Sequence, residues 1–107
     1  MSSTIYLTAN RPTTVFEWNL TWNLTKMANE AGLYDVVFHP RDKGYRYASE
    51  LIEPLESGLA LLRSDPERFK KLNPPNGWGS YDTFVTGLEE YIKHCKENPD
   101  ASLHVAG

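Results

Sequence analysis

The sequence has a single cysteine, Cys95, among its 107 residues. One thiol cannot form an internal disulfide, and it cannot supply the several thiolates of a structural zinc site. The three histidines, His39, His94 and His104, stand far apart, and no pair has the H-x3-H spacing that is typical of metal ligands. We therefore expect no disulfide framework, no metal site and no resident cofactor.

Long apolar runs and an excess of positive charge are also lacking. No apolar stretch approaches the roughly 18 residues of a membrane span, and residues 1–4 do not have the features of a secretory signal peptide. The chain carries 11 basic and 14 acidic side chains, a formal net charge of −3. Duplex nucleic acid is bound by basic surfaces. The sequence thus predicts a soluble, cytoplasmic protein that binds neither duplex nucleic acid nor membrane.

What is present is the composition of a globular protein, with 40% hydrophobic, 12% aromatic and 23% charged residues. The length suits one compact domain, residues 1–107. The chain has no internal repeat, low-complexity tract or linker-like segment. Nothing in this composition indicates the oligomeric state.

Alternation of apolar and polar residues predicts strands near both ends of the chain. Ile5 and Leu7 alternate with polar neighbours, and so do Leu103 and Val105. Residues 13–18 favour a returning strand after a turn at residues 10–12. Because a lone short strand leaves its backbone groups unsatisfied, we expect the terminal strands to pair.

Helical periodicity dominates the middle of the chain. Helices are predicted within residues 21–33, at residues 48–62 with Pro54 as the first residue of the main helix, after Asp65 and Pro66, and after a capping residue at Ser80. Residues 34–38 favour a strand, with a helical turn as the alternative, and residues 39–44 favour an exposed loop. The expected fold is α+β, a small antiparallel sheet formed by the N-terminal strand or strands and the C-terminal strand, covered by three to four helices.

A segment rich in amides and indoles is the first candidate site. At helical spacing Asn19, Trp22 and Asn23 share one face. Amides offer donors and acceptors and an indole offers a stacking plane, a combination that suits a base or a sugar. The alternative is that the Asn and Thr residues cap the helix while the tryptophans fill the core.

The second candidate is the loop at residues 73–81, from which we single out Asn76, Trp78 and Tyr81. The loop leads into a helix whose first N–H groups are free to bind an anion, with an aromatic ring stacked on an attached group. The alternative is a structural loop in which Trp78 fills the core and the glycines adopt positive φ. The loop lacks the lysine of a phosphate-binding P-loop.

A basic and aromatic patch is the third candidate, with Arg41 and Arg46 as phosphate ligands beside Tyr45 and Tyr47. The alternative is a solvated loop, because Asp42 lies within the patch.

We predict no catalytic residue. Cys95 lies on the apolar stripe of the last helix, which is typical of a buried and inert thiol. Glu89 and Glu90 are adjacent and point apart on a helix. If the protein is an enzyme, His39 near Asp35 is the acid–base candidate.

Residues 21–27, the loop with its Asn-Gly-Trp-Gly motif and the closing residues 95–101 together resemble a group of small uncharacterised bacterial and bacteriophage proteins. The resemblance implies a prokaryotic or viral cytosolic setting, and it implies no specific activity.

From the residues, we expect a binding protein for a polar, ring-containing small molecule such as a nucleotide, held between the amide-rich segment and the Trp78 loop. In a phage setting this extends to sequestration of a host signalling nucleotide. One alternative is a protein-interaction module with Trp22, Trp78 and Tyr81 as exposed anchors. A second alternative is a small enzyme with His39 as acid or base.

Overall fold

The computed structural model describes residues 1–9 and 13–107, and the turn predicted at residues 10–12 lies outside them. The described strands are β1 (Ser2–Thr8), β2 (Thr14–Thr21) and β3 (Ser102–Ala106). They form an antiparallel sheet in the order β2-β1-β3. The strands from the two ends of the chain pair as predicted, with Ile5 opposite Val105.

The helices of the described residues lie between β2 and β3 in the chain. They are α1 (Thr25–Glu30), α2 (Tyr34–Phe38), α3 (Ala48–Ser64), α4 (Pro66–Lys70) and α5 (Tyr81–Glu97), with 3-10 turns at Trp22–Leu24 and Pro40–Lys43. The predicted α+β class is therefore confirmed. The alternative of a helical turn at residues 34–38 proves correct, and it accounts for a helix beyond the predicted three to four.

The sheet carries the core on one face. Ile5, Leu7 and Leu103 are buried, and they alternate with side chains that point to the opposite face. Helix α5 covers the buried face, where the Phe16 ring stacks on Tyr91 with centroids 5.4 Å apart. The opposite face carries mostly polar side chains.

A glycine permits close contact between sheet and helix. A Cβ atom on Gly87, in the middle of α5, would overlap the indole of Trp18. A glycine inside a helix costs about 1 kcal/mol relative to alanine. In return, the Trp18 ring packs directly on the helix backbone.

The prediction that Pro54 begins the main helix is wrong, because α3 runs without interruption from Ala48 to Ser64. A proline inside a helix costs about 3 kcal/mol. Leu51 and Leu55 flank it and are fully buried, and each contributes about 1.5–3 kcal/mol by that burial. The packing of α3 on the core thus outweighs the local cost of the proline.

The shared helical face expected for Asn19, Trp22 and Asn23 is also wrong. Strand β2 continues to Thr21, and α1 begins only at Thr25. Leu20 is buried opposite Ser3 on β1. Sheet pairing therefore prevails over the helical periodicity of this segment.

Candidate functional site: a groove along strand β3

Within residues 1–9 and 13–107, no helix combines the length and apolarity that a bilayer crossing requires. In the same part of the chain, no three His, Cys, Asp or Glu side chains converge as a metal site would need. The features that stand out are cavities.

Three cavities adjoin one another along the outer edge of β3. The first, of about 400 Å³, is lined in part by Trp22 and His39. The second, of about 370 Å³, contains His39 and Arg41, and the third, of about 340 Å³, contains Arg41 and Arg46. Neighbouring cavities share lining residues, and we call the three together the β3 groove.

Of the three cavities, the first has the most aromatic side chains in its lining, and we call it the aromatic pocket. Its defining side chains are Ser3, Trp22, Thr25, Tyr34, Phe38 and His39. The rings of Trp22, Tyr34 and Phe38 thus surround a space together with the hydroxyls of Ser3 and Thr25 and the imidazole of His39. Its volume falls in the range of about 300–1,000 Å³ that is common for small-molecule sites.

Trp22 is held in a fixed position by its surroundings. Its indole Nε1 donates to Ser3 Oγ at 2.7 Å, and Thr25 Oγ1 donates to the Trp22 carbonyl at 2.9 Å. Ser3 is 5% exposed and Trp22 is 36% exposed. The indole therefore has a fixed orientation while part of its surface remains open to the pocket.

A tyrosine–histidine pair also lines the aromatic pocket. Tyr34 Oη lies 3.1 Å from His39 Nε2, and the Tyr34 ring packs on Phe38 with centroids 5.7 Å apart. The other ring nitrogen of His39 lies 3.8 Å from an Asp42 carboxylate oxygen. The Asp35 carboxylate lies 3.6 Å from Lys43 Nζ, so Asp35 contributes to His39 only a backbone acceptor at 2.8 Å.

Arg41 covers the middle of the outer edge of β3. Its Nε and Nη2 both donate to the Leu103 carbonyl, at 3.1 and 2.9 Å, and the Leu103 N–H donates to the Arg46 carbonyl at 3.2 Å. Residues two apart on an antiparallel strand direct their backbone groups to the same edge. Val105, which lines the first two cavities, therefore presents its N–H and C=O to the groove.

The predicted ligand residues divide between the groove and other surfaces. Trp22, Arg41 and Arg46 line the groove. The Asn19 amide instead donates to Thr4 Oγ1 at 3.0 Å on the exposed sheet face, and the Asn23 amide donates to Thr21 Oγ1 at 3.1 Å. Both amides are used locally, outside the three cavities.

The loop residues behave differently from one another. Asn76 Oδ1 accepts the Trp78 N–H at 3.0 Å, and Trp78 is 67% exposed, so the alternative that it fills the core is wrong. Tyr81 is buried, and its hydroxyl donates to the Leu62 carbonyl at 2.8 Å. The loop does approach the end of β2, since a Cβ on Gly79 would lie 2.9 Å from Thr21 Cγ2. Trp78 and Trp22 nevertheless line no common cavity among the three of the groove.

Sequence reasoning did not identify Ser3, Tyr34 and Phe38 as site residues. A signal was present, because Tyr34 and Phe38 are aromatic residues at the i, i+4 spacing of one helical face. The strand predicted for residues 34–38 also puts these two rings on one side, because side chains four residues apart share a face of a strand. Ser3 carries no such signal, since only the pairing of β1 with β2 brings it beside Trp22.

No family model, curated protein or solved structure matches this chain. The function proposed below therefore rests on the chemistry of the β3 groove.

Proposed function

We propose that the protein binds a polar, ring-containing small molecule in the aromatic pocket. The observation that carries this proposal is the arrangement of the Trp22, Tyr34 and Phe38 rings around one cavity of about 400 Å³ with hydroxyl and imidazole groups in its wall. Apolar walls with a few oriented polar groups are the usual composition of a small-molecule site.

A planar ligand can interact with both the aromatic rings and the polar groups of the pocket wall. Stacking of a base on an aromatic side chain is worth about 1–3 kcal/mol. The Tyr34 hydroxyl forms a hydrogen bond with His39 Nε2 at 3.1 Å, and its oxygen keeps hydrogen-bonding capacity for a ring heteroatom or exocyclic group of a ligand. Val105 adds an amide hydrogen and a carbonyl oxygen at the rim. These groups favour a nucleobase or a similar heterocycle over a purely apolar ring.

A cytoplasmic setting fits this function, because nucleosides and nucleotides are abundant there. The unpaired thiol of Cys95 is compatible with a reducing compartment. In this setting, tight binding without turnover would remove a heterocyclic metabolite or signal from solution.

The test is a binding screen with adenosine, guanosine, cytidine and uridine, followed by thermal denaturation and calorimetry. A ligand present at 100 times its Kd should raise the free energy of unfolding by about 2.7 kcal/mol. Trp22→Ala should weaken binding at least tenfold. Trp78→Ala is the matched control, because it removes an indole that is 67% exposed and lies outside the groove. Equal binding by the wild type and Trp22→Ala would contradict the proposal.

A second candidate function, docking of another protein, is supported by Trp78. The loop at residues 73–80 is anchored to α5, since Asn73 Oδ1 accepts the Tyr81 N–H at 2.7 Å. The loop presents the Trp78 indole, which is 67% exposed. Large aromatic residues on a fixed surface are typical interface anchors. This candidate predicts that Trp78→Ala, and not Trp22→Ala, abolishes association with a partner. Tyr81 is excluded as an anchor because it is buried.

A further inference from the structure

We infer that the third cavity is a second binding site, separate from the aromatic pocket, and that it takes the phosphoryl group of a small phosphate monoester between Arg41 and Arg46. No residue that lines the third cavity also lines the aromatic pocket. The inference therefore does not rest on the proposed function, and each can be tested without the other.

The described lining of the third cavity contains hydrogen-bond donors and no acid. It consists of Arg41, Tyr45, Arg46, Tyr47 and Ser102. These residues carry two guanidinium groups and three hydroxyls, all of which can donate to an anion. Guanidinium groups suit phosphate in particular, because their planar donors match two oxygens at once. The chemistry of this cavity contrasts with that of the whole chain, which has a formal net charge of −3.

Both arginines are attached to the same residue of β3. The guanidinium of Arg41 donates to the Leu103 carbonyl, and the Arg46 carbonyl accepts the Leu103 N–H at 3.2 Å. The next residue, Tyr47, forms a bridge with Ser102. Two arginines from different parts of the chain thus meet at one point of the strand edge, and this juxtaposition carries the inference.

Arg41 is already ordered before any ligand binds. Its Nε and Nη2 donate to the Leu103 carbonyl at 3.1 and 2.9 Å. A guanidinium has five N–H donors, so the two hydrogens of Nη1 and the second hydrogen of Nη2 remain. Together they form the end of the guanidinium, which can bind two oxygens of one anion. Because Leu103 orders the side chain, the ligand does not bear that cost.

Neither arginine is neutralised by an ion pair within the described part of the chain. No carboxylate of residues 1–9 and 13–107 lies within ion-pair distance of Arg41 or Arg46. By contrast, Arg68 lies 2.9 Å from a Glu30 carboxylate oxygen. Arg41 and Arg46 are also exposed, so a ligand in solution can reach them.

The two acids adjacent to the third cavity are directed to other groups. One Glu50 carboxylate oxygen accepts the N–H groups of Arg46 and Tyr47 at 2.8 and 2.9 Å, at the start of α3. The Asp42 carboxylate lies 3.8 Å from His39 Nδ1 and lines the second cavity. Neither acid belongs to the described lining of the third cavity.

The size of the cavity favours an organic phosphate over the bare ion. Its volume of about 340 Å³ lies in the range of about 300–1,000 Å³ that is common for small-molecule sites, and a bare phosphate ion fills only a small part of such a space. Tyr47 is 51% exposed, so its ring offers an apolar surface to the group attached to the phosphate. The ligand class is therefore a phosphate monoester whose organic part contacts Tyr47.

The experiment measures the affinities for inorganic phosphate, glycerol 3-phosphate and phenyl phosphate by calorimetry at constant ionic strength. We expect phenyl phosphate to bind more tightly than inorganic phosphate, because its ring contacts Tyr47. Arg46→Gln should weaken all binding about tenfold or more, because it removes hydrogen bonds between charged groups. The Arg46 side chain has no hydrogen bond to the described residues, so this variant should melt at the wild-type temperature.

Two further variants serve as controls. Arg68→Gln removes an exposed guanidinium that lies outside the third cavity and should leave phosphate affinity unchanged. Trp22→Ala alters the aromatic pocket and should also leave it unchanged.

The outcomes separate the parts of the inference. Absence of phosphate binding, or an equal loss in Arg46→Gln and Arg68→Gln, overturns the anion site. Inorganic phosphate that binds as tightly as both esters overturns the monoester assignment, and loss of binding in Trp22→Ala overturns the separation of the two sites. The nucleoside screen contains no phosphate, so its failure contradicts the proposed function alone.

Discussion

At the scale of single residues, the two buried tyrosines are an informative contrast. The Tyr91 hydroxyl is buried and has no hydrogen-bond partner among the described residues, and burial raises its pKa. The Tyr81 hydroxyl is also buried but donates to the Leu62 carbonyl at 2.8 Å. The same functional group is therefore unsatisfied at one site and satisfied at the other.

This contrast predicts opposite effects of one substitution. Tyr91→Phe should leave the free energy of unfolding unchanged or raise it by about 1 kcal/mol, because it removes an unsatisfied buried hydroxyl and keeps the ring. Tyr81→Phe should lower it by about 1 kcal/mol and serves as the control. Urea denaturation measures both. A loss of more than 1 kcal/mol for Tyr91→Phe would show that its hydroxyl has a partner.

Cys95 is buried, as the sequence predicted. It is buried among the apolar side chains of α5 and its neighbours, and that burial raises the pKa of its thiol to about 12. A thiol in this state is a poor nucleophile at neutral pH. The helical period and the apolar neighbours of Cys95 were sufficient to predict its burial, because both are local properties of one helix.

At the scale of elements, the start of α3 contains a pH-sensitive contact. The Glu50 carboxylate accepts the backbone N–H groups of Arg46 and Tyr47, and its pKa is lowered from 4.5. A group whose pKa is lower in the folded state stabilises that state above its unfolded pKa. This contribution is lost as the pH falls below 4.5 and through the folded pKa.

We therefore expect Glu50→Gln to lower stability at pH 7 and to flatten the decline of stability below pH 4.5, because glutamine cannot gain or lose the charge. Thermal melts between pH 2.5 and 7 measure this. Glu53→Gln, an exposed position on the same helix, is the control and should leave the decline unchanged. Parallel pH profiles for Glu50→Gln and the wild type would contradict the assignment.

Element prediction succeeded where local signals and packing agreed. Asp65 and Ser80 cap α4 and α5 as expected, with Ser80 Oγ accepting the Thr83 N–H at 3.2 Å. It failed where distant packing decided the outcome. Pro54 is accommodated because one face of α3 is buried along the helix, and Asn19 belongs to β2 because Leu20 is buried against β1. Neither contact is encoded within a few residues of the position concerned.

At the scale of the whole molecule, the β3 groove is assembled from distant parts of the chain. Ser3 meets Trp22, and Arg41 meets Leu103, a residue 62 positions away. Both contacts depend on the pairing of β1 with its neighbours on either side. The sequence identified Trp22, Arg41 and Arg46 by their chemistry. It could not show that the amides of Asn19 and Asn23 would be used locally, because that depends on where strand β2 ends.

The most direct test of the central claim uses the tryptophan indoles as internal reporters. In ¹⁵N–¹H spectra, Trp18, Trp22 and Trp78 each give one indole Nε1–H signal, and Trp22 alone of the three lines the aromatic pocket. Titration with the preferred nucleoside should shift the Trp22 signal, since its Nε1–H is bonded to Ser3 in the pocket wall, and leave the Trp78 signal in place. A saturable shift of Trp78 with an unchanged Trp22 would contradict a ligand site at the β3 groove.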